Sequence, residues 1–186
     1  MLKVGWSLLG ALFIYAKIAW WGLVMPRVRN HLVVAQAIVC GEDGILLAVR
    51  SDLRGWELSG GEVEEGETAD AAVCREVWEE TGLEVEVDRH VGDYEREGFR
   101  PHTARVFLCH PVGGQLKRNW ETLDLRWFPR DALPETLFPW FREPLRDAFD
   151  ENIGEPVSRH EVQGVDAVLE AIRIDLRMRV SQNRAA

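Results

Sequence analysis

Glu76, Glu79 and Glu80 are the residues best placed by type and spacing to do chemistry. At i, i+3 and i+4 they share one face of a helix, where like charges repel unless a cation neutralises them. Hard carboxylate oxygens suit Mg²⁺, or Mn²⁺, which takes a few carboxylates and keeps waters and substrate phosphates. The acid excess is wider than this turn: Glu57 to Asp88 holds twelve Asp or Glu and one basic residue, Arg75. Most such charge runs are solvated faces. Gly60-Gly61 ahead of the run, the lone arginine inside it and Gly82 behind it argue instead for a built site.

The helix that carries these groups is expected over Ala69 to Glu80. Ala71 and Ala72 favour helical backbone, Asp70 stands in the first turn, and Gly82 sits where a left-handed residue ends a helix. Val73 and Val77 share a second face that can pack on a sheet.

Gly61, Glu67, Arg75-Glu76-Val77, Glu79-Glu80 and Gly82-Leu83 stand at the spacing G-x5-E-x7-R-E-U-x-E-E-x-G-U, with U apolar. In this the chain resembles the Nudix hydrolases at every fixed position of their motif. Trp56-Glu57-Leu58-Ser59-Gly60-Gly61 is similar to that family's W-x-L-P-G-G lead-in, with Ser59 where proline is usual. The resemblance implies an α+β fold, the Nudix α/β/α sandwich with a mixed sheet, over about residues 31–150. It also implies Mg²⁺ held by Glu76, Glu79 and Glu80 with the Gly61 carbonyl. Arg75 would orient a carboxylate, with Glu67 as its structural partner. Glu121, upstream of Leu125-Arg126-Trp127-Phe128, would be a further catalytic or metal-binding glutamate.

The implied activity is hydrolysis of a phosphoanhydride in a nucleoside diphosphate linked to another group. Two readings on the same fold compete: a module that senses a nucleotide without turnover, and an isomerase using a reactive Cys74 or Cys109. The segment Tyr94 to His102 lies where family members diversify for substrate.

At 186 residues the chain has room for one domain and an appendage, and 46% hydrophobic residues suffice for a core. A net charge of −9 argues against a surface for nucleic-acid polymers, so the expected partner is a nucleotide-type small molecule. Cys40, Cys74 and Cys109 are far apart in apolar runs, as free thiols in a reducing compartment would be. The five histidines have no zinc spacing.

Three segments follow. Residues 1–26 form an N-terminal hydrophobic helix in which Val4 to Met25, 22 residues, would span roughly 33 Å. Trp6 and Trp20-Trp21 stand near its ends and Arg27 and Arg29 follow it, which favours a single-pass anchor with the domain on the cytoplasmic face of a membrane. A helix lying on the membrane or packed on its own domain, a signal peptide, and a soluble cytoplasmic protein are the alternatives. Residues 27–150 would be the domain that the Nudix resemblance implies, opening with a hairpin of His31–Val39 and Ile45–Arg50 around Gly41-Glu42-Asp43-Gly44. Strands are expected at Leu83–Val87, Val91–Arg96, Thr103–His110 (ending in a Pro111–Gly114 turn) and Leu123–Phe128, and a helix at Pro139–Phe149. Residues 151–186 form an extension, read as a helix over Arg159–Glu170. Ile172, Ile174, Leu176, Met178 and Val180 then alternate with charges as a strand with a basic face would.

Overall fold

The computed structural model of the chain describes Ala16, residues 32–98 and residues 101–185, with side chains as far as Ser181. Strands β1 (Val33–Gly41) and β2 (Gly44–Arg50) form the expected hairpin, with Gly41 opposite Gly44 around a two-residue turn. The strands then part. β1 runs parallel to β6 (His102–Gly114), Val33 to Val39 facing Thr103 to Cys109, and antiparallel to β4 (Ser59–Glu62). β2 instead pairs with β3 (Trp56–Glu57) and β7 (Thr122–Phe128). β5 (Leu83–Gly98) is antiparallel to β6 and parallel to the outer strand β8 (Val157–Gln163).

This mixed sheet is covered on both faces. Helix α1 (Ala69–Thr81) lays Val73 and Val77, both fully buried, against Ala35, Ala37, Phe107 and Cys109. The other face packs on Phe141 of a 3₁₀ turn (Pro139–Phe141), on Leu145 and Ala148 of α2 (Arg142–Phe149), and on Ala171, Ile174 and Met178 of α3 (Val165–Ala185). α1 stops where expected: Gly82 has φ 75° and donates its N–H to the Trp78 carbonyl at 2.8 Å.

Three expectations need correction. Leu83–Val87 and Val91–Arg96 are one strand, because Asp88 and Val91 are each absorbed as a bulge opposite β6. Pro111 to Gly114 is not a turn: β6 runs through it, with Val85 opposite Pro111 and Val112 as the extra residue, and a bulge tolerates the missing proline N–H. The tail is reversed, with a strand at Val157–Gln163 and a helix from Val165 onward.

The reason for the reversal is that inward positions here carry charge. In β8 Arg159 grips the buried Asp147 at 3.0 and 3.1 Å, and Asp147 also accepts the Tyr94 hydroxyl at 3.0 Å. In the same strand Glu161 lies 3.6 Å from the buried Arg96. In α3 the buried positions are 171, 174, 175, 178 and 179, a helical stripe in which Asp175 and Arg179 pair at 2.7 Å. Leu176 and Val180 lie on its exposed side, so there is no single basic face. No helix among the described residues is long and apolar enough to cross a membrane, and Val4–Met25 lies outside them except for Ala16.

A strand over 172–180 would put Ile174 and Val180 on the same face, whereas α3 buries the first to 2% exposure and leaves the second 53% exposed. Ile174→Ala is therefore expected to cost about 2–5 kcal/mol. Val180→Ala should stay within about 0.5 kcal/mol. Urea unfolding of both variants checks this; equal losses would contradict the helix.

Candidate active site

β4 lies so close to β1 that a Cβ on Gly60 would sit 2.2 Å from the Ala35 carbonyl oxygen, and Gly60 also has φ 155°. No side chain fits there, and the bare backbone of β4 can meet α1. The Gly60 N–H donates to Glu80 Oε2 at 3.2 Å. At Gly61 a Cβ would land 2.3 Å from the Glu76 carboxylate, so that carboxylate occupies the notch the glycine leaves open.

Arg75 reaches back over the loop between β4 and α1. Its Nε and Nη2 donate to the two Glu67 oxygens at 3.0 and 2.9 Å, which is the expected pairing. Nη2 also donates to the Glu62 carbonyl, Nη1 donates to Glu76 at 2.8 Å, and Nη1 stands 3.5 Å from Glu79. The Arg75 guanidinium holds the Glu67 carboxyl below its usual range.

Glu80 is in the opposite condition. Burial pushes its carboxyl up to about 7, and the negative charge of Glu76 adds to this. The Arg50 guanidinium, the Gly60 N–H and the Ser59 hydroxyl oppose the rise without cancelling it. Glu79 is half exposed. Each carboxylate has its own neighbour, and among the described residues no three His, Cys, Asp or Glu side chains converge as metal ligands. The donor chemistry still fits a hard divalent cation: three carboxylates on one helical turn and a half beside a glycine notch.

Glu121 is held beside this site by its backbone. Its carbonyl accepts the Ser51 N–H at 2.8 Å, and its own N–H donates to Asn119 Oδ1. The other end of the Asn119 amide donates to the Glu79 carbonyl at 2.9 Å. The 119–121 loop thus bridges the last turn of α1 and the end of β2.

Sequence reasoning missed Asn119, and it missed Arg50. Arg50 clamps Asp52 through Nε and Nη2 at 3.0 and 3.1 Å and lies 3.7 Å from Glu57. Burial works against the Arg50 charge, but Asp52, Glu57 and Glu80 outweigh it and hold its pKa above the usual range. A basic residue at the inner end of a strand two positions before an acid was the available signal.

Tyr94 and Arg96 are core, and Phe99 and Arg100 lie outside the described residues. All three cysteines are free, and burial raises each thiol, Cys109 to about 12. A thiol held protonated is the weaker nucleophile, which does not favour the isomerase reading.

Residues 30–149 match the NUDIX domain family. The chain is 40% identical over 132 residues to a MutT-like protein of Streptomyces ambofaciens, covering 70% of this chain and 84% of that protein. It is 35% identical over 104 residues to a putative 8-oxo-dGTP diphosphatase of Bacillus subtilis, covering 55% and 69%. Among solved structures, an ADP-ribose pyrophosphatase from Streptococcus suis superposes with a TM-score of 0.56 at 27% identity, over 71% of this chain and all of that one.

The Glu80 environment has a thermodynamic consequence for the metal-free protein. Its carboxyl is raised from 4.5 to about 7 on folding, so the native state binds the extra proton between those values. The contribution is complete below the lower value and is lost as pH rises through the upper one. In the presence of a chelator, wild type should lose on the order of 3 kcal/mol from this group between pH 4.5 and 8. Glu80→Gln should lack that slope, which urea melts at pH 5.5 and 8 will show.

Proposed function

This chain belongs to the Nudix hydrolase family, and we propose that it is a Mg²⁺-dependent pyrophosphohydrolase of nucleoside diphosphates linked to another group. The observation that carries this reading is the seating of Glu80 and Glu76 against the bare backbone of Gly60 and Gly61. Glu76, Glu79 and Glu80 would hold the ion, with the Gly61 carbonyl as a further oxygen donor, and Mn²⁺ is an alternative occupant. When bound, the metal would neutralise charge on the diphosphate oxygens and acidify a water.

The chain's own groups do the rest. Arg75, tied to Glu67, keeps Glu76 turned toward β4. Arg50 places a cation at the rim of the carboxylates, where a diphosphate would bring its own negative charge. Glu121 stands on the bridging loop as a candidate base for the attacking water, with Asn119 fixing its backbone. The names of the relatives, an 8-oxo-dGTP diphosphatase and an ADP-ribose pyrophosphatase, describe those proteins and set the first substrates to try.

The N-terminal segment adds a proposal of location. Val4–Met25 would anchor the domain to the cytoplasmic face of a membrane, a reading that rests on its length, its terminal tryptophans and Arg27 and Arg29.

Purified protein with Mg²⁺ is expected to cleave a phosphoanhydride in a panel of nucleoside triphosphates, dinucleotides and nucleotide sugars, scored by product identity. Thermal stabilisation by a nucleotide with no cleavage across the panel would instead assign a sensing module. Glu79→Gln and Glu80→Gln should each lower turnover by roughly 10² or more while leaving the fold intact. Near wild-type turnover in both variants would remove the carboxylates from the mechanism.

Protein lacking residues 1–26 should remain folded and active under the anchor reading. Full-length protein released from membranes by carbonate would rule out a spanning helix.

A further inference from the structure

Helix α3 lies beyond the part of the chain that matches the NUDIX domain, yet it holds the loop that follows Arg50. Asp175 and Arg179 are buried on its inner face, with side chains 0% and 6% exposed, and pair at 2.7 Å. Neither is closed upon the other alone. Asp175 Oδ1 accepts the backbone N–H of Arg54 at 2.7 Å. Arg179 Nη2 donates to the backbone carbonyl of Asp52 at 3.0 Å. Both contacts span more than a hundred residues to the loop that joins β2 to β3.

Inside that loop Asp52 faces the other way. Its Oδ1 caps the Leu53 N–H at 2.8 Å, and its two oxygens clamp the Arg50 guanidinium. The backbone of this short loop is therefore gripped by an ion pair from α3, and its one acidic side chain grips the cation next to Glu57 and Glu80. Loops normally carry mobile side chains. A long arginine at the end of a strand would lose rotamer freedom each time it met a substrate, unless it were already held.

We infer that Asp175 and Arg179 are positioning residues for the active site: by fixing the Asp52 and Arg54 backbone they hold Asp52, and through it Arg50, pre-oriented toward the substrate phosphates. The inference rests on the proposed phosphoanhydride chemistry for its kinetic arm and on geometry alone for its spectroscopic arm. Breaking the pair by removing one partner would leave a buried charge and confuse unfolding with mispositioning. Replacing both, Asp175→Leu with Arg179→Met, keeps the inner face of α3 filled with apolar atoms and removes both loop contacts. Asp52→Asn weakens the same relay without touching α3, and serves if the double replacement does not fold.

The full chain, with Mg²⁺ and whichever panel nucleotide it cleaves, should show a roughly tenfold rise in KM with kcat within about threefold for the double replacement and for Asp52→Asn. In an Arg50→Ala background the double replacement should add nothing, because the group it positions is gone. Equal losses in the two backgrounds, or an unchanged KM, would overturn the inference. The second arm needs no activity: the Arg50 Nε–H signal in ¹H–¹⁵N spectra, assigned with Arg50→Lys, should be sharp and slowly exchanging in wild type. It should collapse into the solvent-exposed set in the double replacement. An unshifted Arg50 signal would overturn the inference even in an inactive protein. A shifted signal without cleavage of any panel compound would count against the hydrolase reading alone.

Discussion

The structure depends on one close approach, that of the glycine backbone of β4 to the acidic face of α1. With Gly60 pressed against the Ala35 carbonyl and Gly61 leaving room for the Glu76 carboxylate, a helix and a strand meet at a distance that side chains would forbid. That approach largely shields Glu80 from water and gives it a single backbone N–H in exchange. Burying a carboxylate beside another is unfavourable by itself, and the protein meets the cost with cations at the two sides of the cluster. Arg75 stands on the Glu67 and Glu76 side, and Arg50 on the Glu57 and Glu80 side. The site is thus poised to take up positive charge, which accounts for why a metal-dependent chemistry suits it.

A second theme is that the interior of this protein is held together by charge as well as by apolar packing. Asp147 gathers the Tyr94 hydroxyl and the Arg159 fork, and so ties α2 and β8 to β5. Arg96, with a side chain 1% exposed, donates to the Trp140 carbonyl and faces Glu161 across the β5–β8 pair. Asp175 and Arg179 do the same for the β2–β3 loop. Each pair has at least one buried partner, and such a pair contributes little net stability compared with apolar residues of the same volume but punishes any alternative arrangement that leaves the buried partner alone. In all three places the charged contact joins the C-terminal elements β8 and α3 to the rest of the fold.

Much of the site was legible from spacing. The helix over residues 69–80, its glycine stop, its sheet-facing Val73 and Val77 and the Arg75–Glu67 contact all follow from local rules of helix periodicity and from a motif with many fixed positions. The hairpin around Glu42-Asp43 was legible for the same reason, since a turn is decided by the residues within it. The merging of two expected strands into β5 was not, because a bulge depends on the partner strand and leaves no reliable mark on the strand that carries it.

What the sequence by itself determined is therefore the local and the repeated: the acidic helix, the glycines before and after it, the family and the class of chemistry. What only the tertiary structure decided is where charges go when they turn inward. Periodicity assigns every Asp, Glu and Arg to solvent, so Arg159 and Glu161 hid a strand, and Asp175 and Arg179 turned a helix into an apparent alternation. Only partners far away in the chain, Asp147, Arg96 and the backbone of Asp52 and Arg54, make those inward charges affordable. The same holds for Arg50 and Asn119, whose significance lies in a distance to Glu57, an influence on the Glu80 charge and a bond to the Glu79 carbonyl that no reading along the chain contains.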